Sequence, residues 1–302
     1  MKLHFDSNQE YQLDAIKAIT DIFEGQPVSG SDFEFSYSLV GSLLSENGSG
    51  NRLLLSEEQI LENVKNIQQR NQIKDSVQDL QGMNFSVEME TGTGKTYVYL
   101  RTIYELNKLY GFKKFVVVVP SIAIREGVIK NLQITSEHFQ SIYDNETINF
   151  AIYDSKKSSN LRSFASVSAI QILVLNIDAF AKDENIINKT IDRTTGKRPI
   201  EFIQSTRPIV IVDEPQNMET EIRKKAIENL HPLCTLRYSA THTNLYNLMY
   251  SLNPVKAYDL GLVKQIEVDS VVSDNAMNDA FVQVEKIQSV GKNKIAAKLK
   301  LM

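Results

Sequence analysis

Cysteine is nearly absent from this sequence, since Cys234 is the only one among 302 residues. A single cysteine excludes an internal disulfide framework and suits a reducing compartment. Its surroundings, LCTLRYSAT, have the composition of a strand, which predicts a buried structural thiol. Histidine is also sparse, and His138, His231 and His242 do not have the spacing of metal ligands. The sequence therefore predicts no histidine metal site.

Long apolar runs are absent as well. No stretch reaches the roughly 18 consecutive apolar residues that a membrane-spanning helix needs, and the N-terminus, MKLHFDSNQEYQ, lacks the apolar core of a signal peptide. We therefore expect a cytoplasmic protein with no membrane partner. The charge is nearly balanced, with 33 basic and 37 acidic residues and a net charge of −4. This balance excludes a general attraction to nucleic acids, so any contact with DNA must be local and lie in a cleft.

The composition that remains is globular, with 42% hydrophobic and 23% charged residues. The length fits one large domain or up to two of ordinary size. Apolar residues at helical spacing predict a first helix over 10–23. The segment 25–50 is rich in glycine and serine, which predicts an excursion from the fold. A polar helix is predicted from Ser56, an N-cap candidate with Gln59 three residues later, to about Arg70.

Strands and helices alternate through the rest of the chain. FSVEME (85–90) alternates as a strand does, and FVVVV (115–119) is a β-branched run typical of a strand buried on both faces of a sheet. Helical patterns follow both runs. This alternation predicts an α/β fold with a doubly wound, mainly parallel sheet. Further strands are predicted at 148–153, 172–176, 209–213 and 235–240, a helix at 220–230, and a C-terminal β-hairpin that ends in the alternating run 294–301.

The stretch METGTGKT, residues 89–96, lies between a predicted strand and a predicted helix. A strict phosphate-binding loop carries glycine where this sequence has Met89, so only TGTGKT fits the pattern. That part still meets the physical need, because Gly92 and Gly94 let backbone N–H groups point at a phosphate beside the positive end of the helix. The stretch therefore predicts a nucleotide site. The alternative is a glycine-rich turn without a ligand.

A site that binds and hydrolyses a nucleoside triphosphate needs a cationic side chain for the phosphates, ligands for a metal ion, and an acidic residue for the attacking water. Lys95 is expected to reach the β and γ phosphates, and the Thr96 hydroxyl to bind Mg²⁺. The run IVIVDEPQ supplies Asp213 at a strand end, where it is expected to hold Mg²⁺, and Glu214, which is expected to orient or deprotonate the attacking water. The predicted cofactors are therefore ATP and Mg²⁺. The loop residues expected to bind the nucleotide are Thr91, Gly92, Thr93, Gly94, Lys95 and Thr96.

Three strings occur in the order found in superfamily 2 helicase motors. TGTGKT, VDEPQ and YSAT resemble motifs I, II and III of these enzymes. The longer strings EYQLDAI, METGTGKTYVYLRTIYEL, FVVVVPSIAIREGV, VLNIDAF, RPIVIVDEPQNM and LVKQIEV resemble the Res subunit of type III restriction enzymes, from about Phe5 to about Val268. DEPQ in place of DEAD or DEAH is the most discriminating of these marks. The resemblance implies a RecA-like fold.

The same resemblance implies roles for further residues. Gln12, in EYQLDAI, takes the position of the glutamine that hydrogen-bonds adenine. Gln216 of DEPQ takes a catalytic position and, with Ser239 and Thr241, would link the nucleotide site to the DNA track. Without the resemblance, Gln12 is a residue of a helix surface, and Ser239 and Thr241 end a strand and cap a helix.

Two further loops correspond to the family's DNA-contacting motifs. PSIAIREGV would be motif Ia, and motif Ib would lie around Asn176, Asp178 and Phe180. In the family these loops contact the DNA backbone through main-chain amides as well as cations. Arg125, Lys130 and Asn176 are the candidate DNA-binding residues. The alternative is that Arg125 and Lys130 lie on a solvent-exposed helix face and do not bind DNA.

The resemblance implies the ATP-binding lobe of a DNA-dependent translocase, with double-stranded DNA and a methyltransferase (Mod) subunit as partners. Residues 1–250 are expected to form this lobe, with a variable insertion at about 25–55, and residues 251–302 a linker and hairpin that lead to a second lobe. We expect that lobe, with its arginine finger, and a PD-(D/E)xK nuclease domain to lie outside these 302 residues. The fragment is therefore expected to hydrolyse ATP poorly and to leave DNA uncut.

Three other functions are compatible with part of the sequence. A type I restriction motor or another superfamily 2 DNA helicase shares the motif order, but DEPQ argues against it. A nucleotide switch without turnover would have no need of Glu214. A small-molecule kinase with a phosphate-binding loop would not require YSAT or the upstream glutamine.

Overall fold

A computed structural model describes residues 5–28, 31–39, 42–74, 76–155, 159–190, 197–264, 282–289 and 295–301. The chain divides into two compact units, Met1–Val263 and Lys264–Met302, which are described separately. None of the helices within these ranges is both long and apolar enough to cross a membrane. The predicted linker between 265 and 281, part of the string LVKQIEV and the hairpin turn GKN lie outside the described residues.

Eight α-helices and nine strands are described in the first unit. The helices are α1 (Glu10–Thr20), α2 (Glu57–Arg70), α3 (Lys95–Tyr110), α4 (Ile122–Ile142), α5 (Ser159–Ser166), α6 (Pro199–Ser205), α7 (Glu221–Glu228) and α8 (Pro254–Asp259). The strands are β1 (Ser31–Leu39), β2 (Ser42–Gly50), β3 (Asn84–Met89), β4 (Lys114–Val119), β5 (Asn149–Ile152), β6 (Gln171–Asn176), β7 (Ile209–Asp213), β8 (Cys234–Ser239) and β9 (Leu248–Leu252).

Seven of these strands form one sheet in the order β5-β6-β4-β7-β8-β3-β9. Every pairing between neighbours is parallel, which confirms the predicted doubly wound α/β fold. Alternate residues of β4 face two different apolar clusters, because Val117 packs in one and Val116 in the other. The sheet is therefore covered on both faces, as the continuous apolar run of β4 predicts.

Short sequence patterns correctly predicted the starts of α2 and α4 and the burial of Cys234. Ser56 and Gln59 form the capping box at the start of α2, and Ser121 caps α4 by accepting a hydrogen bond from the Ile124 N–H at 3.3 Å. Cys234 is fully buried in β8, as predicted, and burial raises the pKa of its thiol. These confirmed predictions all depend on residues within one element.

Strand β9 was not predicted from the sequence. Asn247 aligns it with β3, because its side-chain Nδ2 donates to the carbonyls of Gly82 at 3.1 Å and Asn84 at 2.7 Å. The Asn247 Oδ1 also accepts from the Gln81 N–H at 3.1 Å. The five residues of β9 therefore pair through contacts with a segment far away in sequence, which no local pattern reveals.

The glycine-rich segment also contains two strands that the sequence analysis did not predict. β1 and β2 pair antiparallel, with Phe33 opposite Gly48. A Cβ on Gly48 would lie 2.5 Å from the Phe33 ring, so this position accepts the aromatic neighbour only as glycine. Phe33 in turn packs against the apolar cluster on one face of the main sheet. Part of the predicted excursion is thus a hairpin packed on the fold.

Asn51 fastens the end of this hairpin to the main sheet. Its side-chain Nδ2 donates to the Lys114 carbonyl at 2.7 Å, and its Oδ1 accepts from the Lys113 N–H at 2.9 Å and the Lys114 N–H at 3.1 Å. Its backbone N–H donates to the Thr206 carbonyl at 2.8 Å. Asn51 is 4% exposed, so water cannot replace these partners.

We therefore expect Asn51→Ala to lower the free energy of unfolding by about 2–4 kcal/mol, because buried backbone groups lose their partners. Chemical denaturation at neutral pH measures this change. Asn63→Ala is the matched control, since the Asn63 amide also donates to two carbonyls but lies nearer to solvent. An Asn51 variant no less stable than the Asn63 variant would contradict the anchoring role.

The second unit contains an antiparallel pair, β10 (Val282–Ser289) and β11 (Ile295–Leu301). This pair confirms the predicted C-terminal hairpin. A register shift between Val284 and Lys286 interrupts the pairing.

Candidate nucleotide site

The loop after β3 has the conformation that its glycines allow. Gly92 and Gly94 have φ of +83° and +92°, backbone that other residues rarely adopt. A Cβ on Gly94 would also lie 2.6 Å from the Gln12 Nε2. Helix α3 begins directly at Lys95, so the positive end of its dipole lies at this loop. The arrangement is that of an anion site at a helix N-terminus.

The structure brings the loop and the acidic pair together. β3 and β7 are parallel and separated only by β8, so the loops after β3 and β7 open at the same edge of the sheet. The Lys95 Nζ lies 3.2 Å from the Glu214 Oε1, with the lysine side chain 10% exposed. A phosphate that binds Lys95 must therefore compete with the carboxylate of Glu214.

Asp213 is 5% exposed at the end of β7. The buried Tyr99 hydroxyl donates to its Oδ2 at 3.2 Å. Burial, together with the charge of Glu214, raises the pKa of Asp213 to about 6, although Tyr99 and Lys95 act in the opposite direction. Tyr99 lies on α3 three residues after Thr96, so this hydrogen bond connects the helix that follows the phosphate loop to Asp213.

These donors fit Mg²⁺ held jointly with phosphate oxygens. Mg²⁺ binds through one or two protein oxygens and completes its shell with water and phosphates. Within the described part of the chain, no group of three or more His, Cys, Asp or Glu side chains is placed to hold a metal. A carboxylate and a hydroxyl beside a phosphate loop therefore match Mg²⁺–nucleotide better than a metal site built from protein alone.

Glu214 is oriented by three neighbours. The Gln216 Nε2 donates to its Oε2 at 2.8 Å, and the Ser239 hydroxyl lies 3.2 Å from the same oxygen and 2.8 Å from the Gln216 Oε1. Burial acts to raise the pKa of Glu214, but the hydrogen bond from Gln216 and the charge of Lys95 outweigh it and hold the pKa below its usual range. The carboxylate is thus ionised at neutral pH and able to accept a proton.

The residues predicted to link the nucleotide site to the DNA track, Gln216, Ser239 and Thr241, lie in contact with one another. Ser239 is buried against Glu214 and Gln216. Thr241 joins through its backbone, because its N–H donates to the Ser239 hydroxyl at 3.0 Å while its side chain is exposed. His242 lies with its Nε2 3.0 Å from the Val87 carbonyl, in a setting where burial lowers its pKa.

Gln12 lies against the phosphate loop rather than on an open helix surface. Its Nε2 donates to the Thr93 carbonyl at 3.0 Å. It lines a cleft of about 610 Å³ together with Gly92, Gly94, Lys95 and Thr96. Phe5, Tyr97 and Asn131 also line this cleft, and the rings of Phe5 and Tyr97 stack at 5.9 Å between centroids. No sequence pattern indicated these three residues, because they come from three separate segments: the chain before α1, helix α3 and helix α4.

The three residues predicted to bind DNA lie in different settings. Arg125 lines a second cleft, of about 740 Å³, and pairs with the Glu126 carboxylate at 2.9 Å. Asn176 ends β6, and its Oδ1 accepts from the Asp178 N–H at 2.9 Å, which is a local capping role. Lys130 is exposed further along α4. Of the three, Arg125 is the side chain placed in a cleft.

Comparison with known proteins supports one family. The model of the family "Type III restriction enzyme, res subunit" matches residues 8–244. The EcoP15I Res subunit of Escherichia coli is 32% identical over 240 residues, which cover 71% of this chain and 24% of that protein. The EcoPI Res subunit of Escherichia phage P1 is 29% identical over 288 residues, which cover 87% and 28%. The chain thus spans about a quarter of the length of these curated relatives.

Among solved structures, a nuclease-deletion mutant of the type ISP restriction-modification enzyme LlaGI, in complex with a DNA substrate mimic, is similar with a TM-score of 0.41. The sequence identity is 15%, and the match covers 69% of this chain and 20% of that one. The assignment of a family rests on the sequence matches, because the family model covers most of the chain. The chain belongs to the family of type III restriction enzyme Res subunits.

Proposed function

We propose that this chain is the ATP-binding lobe of a DNA-dependent ATPase and translocase within a type III restriction-modification system. The observation that carries the proposal is the Lys95–Glu214 pair at 3.2 Å, beside Asp213 and a Gln216–Ser239 network that orients Glu214. A phosphate loop alone would serve a binding protein. An oriented and ionised carboxylate beside it serves hydrolysis.

This geometry supports the following roles for the residues. The loop Thr91–Thr96 and the N-terminus of α3 would bind the phosphates of ATP, with Lys95 moving from Glu214 to the β and γ oxygens. Mg²⁺, when bound by Thr96 and Asp213, would neutralise phosphate charge. Glu214, released from Lys95, would take the proton of the attacking water, with Gln216 and Ser239 holding its second oxygen in place.

Two further assignments belong to the same proposal. Gln12 would bind adenine from the edge of the first cleft, which it already lines. Double-stranded DNA would contact the second cleft at Arg125, with Lys130 on α4 and Asn176 at the end of β6 as further candidate contacts. A methyltransferase subunit would complete the enzyme in the cytoplasm, since the curated relatives are Res subunits of restriction-modification enzymes.

Loss of ATP binding in Lys95→Met tests the nucleotide site. We expect the affinity for Mg²⁺–ATP to fall by about tenfold to a hundredfold, because a charged hydrogen bond to phosphate is lost. Titration with a fluorescent ATP analogue measures the dissociation constant. Lys225→Met is the control, because Lys225 is exposed on α7. Equal affinity in the two variants would remove the basis of the proposed function.

A further inference from the structure

The turn Pro215–Met218 starts directly at Glu214 and is anchored at its far end. Glu214 has φ of +56°, a left-handed conformation that is unfavourable for a glutamate. At the other end, the Glu219 carboxylate accepts from the Arg237 guanidinium at 3.2 Å and from the Tyr246 hydroxyl at 3.2 Å. Arg237 is 5% exposed, so this anchor is a buried ion pair. A displacement of Glu214 must therefore be absorbed within the turn.

Arg223, on α7, holds this turn and a second loop at the same time. Its Nη1 donates to the Asn217 carbonyl at 2.6 Å, and its Nη2 donates to the Asp178 Oδ1 at 2.9 Å. The Asn217 N–H donates back to the Glu214 carbonyl at 3.2 Å. Asp178 belongs to the loop that follows β6. Arg223 thus connects the backbone that begins at Glu214 with the end of a different strand.

The loop that carries Asp178 forms part of the second cleft. Ala179, Asn185 and Ile186 line this cleft together with Arg125. The Asn185 Nδ2 donates to the Asp178 carbonyl at 3.1 Å, so a ligand that shifts Asn185 also shifts Asp178. A continuous set of hydrogen bonds therefore runs from the wall of the second cleft, through Arg223, to the backbone of the acidic pair.

We propose that Arg223 is a positioning residue that couples occupancy of the second cleft by the DNA backbone to the placement of Glu214 beside Lys95. The inference rests on the proposed function, since it requires ATP at Lys95 and DNA at the second cleft. A guanidinium suits this role because its planar fork donates in two directions. The Asp178 side chain is 67% exposed, so the pair adds little stability. Its effect is expected in the coupling between the two sites.

The test measures ATP affinity of the 302-residue chain with and without a blunt-ended DNA duplex, in Mg²⁺. Binding coupling is reciprocal and does not depend on turnover. We expect DNA to change the ATP dissociation constant of the wild type, and Arg223→Ala to reduce that change by about threefold to tenfold while ATP affinity without DNA stays the same. Asp178→Ala, which removes the acceptor of the Arg223 Nη2 hydrogen bond, should act in the same direction, and the two substitutions together should be non-additive.

Arg198→Ala is the matched control, because Arg198, at the N-cap of α6, forms an ion pair with Glu201 at 2.8 Å near solvent. The control should keep the full effect of DNA on ATP affinity. Full coupling in Arg223→Ala, or no coupling in a wild type that binds both ligands, would overturn the inference and leave the proposed function standing. A wild type that binds no ATP would instead refute the proposed function. Circular dichroism of each variant separates these results from misfolding.

Discussion

Glu214→Gln is expected to lower the rate of ATP hydrolysis by about 10²- to 10⁴-fold, the usual contribution of a general base. The amide keeps the size of the carboxylate and its capacity to accept from Gln216 and Ser239. It cannot take a proton from water. It also no longer pairs as an anion with Lys95, so Mg²⁺–ATP affinity should be retained or increased. The rate and the affinity should therefore respond in different ways.

Single-turnover experiments, with the chain in excess of radiolabelled ATP and with DNA present, measure hydrolysis even when it is slow. Glu228→Gln provides the control, since Glu228 is an exposed residue of α7 and should leave both quantities unchanged. An undiminished rate in Glu214→Gln would show that another group orients the water. Loss of ATP binding would instead show that Glu214 is needed to build the pocket.

Asp213→Asn is expected to make the folded protein more stable at pH 8 while weakening the Mg²⁺ dependence of ATP binding. The pKa of Asp213 is raised from 3.8 to about 6, chiefly by burial. The folded state therefore binds a proton more tightly than the unfolded state, and this group makes stability fall as the pH rises from about 4 to about 6. Above that window the full penalty of a buried charge is present, up to about 3 kcal/mol at about 1.4 kcal/mol per pKa unit.

Denaturant titrations of the wild type and Asp213→Asn at pH 8 and pH 4 measure the difference in unfolding free energy and its dependence on pH. The gain in unfolding free energy should be present at pH 8 and absent at pH 4, where Asp213 is protonated in the folded state. Thermal unfolding with ATP, with and without Mg²⁺, should show a smaller metal-dependent shift in Asp213→Asn than in the wild type. Asp259→Asn, on the exposed end of α8, controls for a general change of charge. A less stable Asp213→Asn at pH 8 would contradict the burial argument.

The raised pKa and the stability penalty have a functional reason in the proposed site. A carboxylate that is poorly compensated by protein donors is available to a cation. Tyr99 supplies one hydrogen bond to Asp213. The buried, ionised carboxylate of Asp213 thus lowers the stability of the folded state, and bound Mg²⁺ would offset this cost. Such a trade-off between stability and function is common at active sites.

The sequence predicted the parts of the site that depend on neighbouring residues. The loop TGTGKT between strand and helix, the end of β7 at Asp213, and the caps at Ser56 and Ser121 are local patterns. Parallel strands also place their carboxyl ends at one edge, so the fold class predicted that the loop and the acidic pair share an edge, while the strand order β7-β8-β3 brought Lys95 within reach of Glu214. The residues predicted for DNA contact were less well defined, because a cation on a helix face has the same local pattern whether or not it lines a cleft.

By itself, the amino-acid sequence determined strands β3 to β8 with the helices between them, the phosphate loop and the acidic pair, because each depends on periodicity or on residues a few positions apart. Only the tertiary structure decided that Tyr99 holds Asp213, that β9 joins the sheet through Asn247, and that Arg223 reaches Asp178. These contacts join segments distant in the chain. Their partners are selected by packing in three dimensions, which no local pattern encodes.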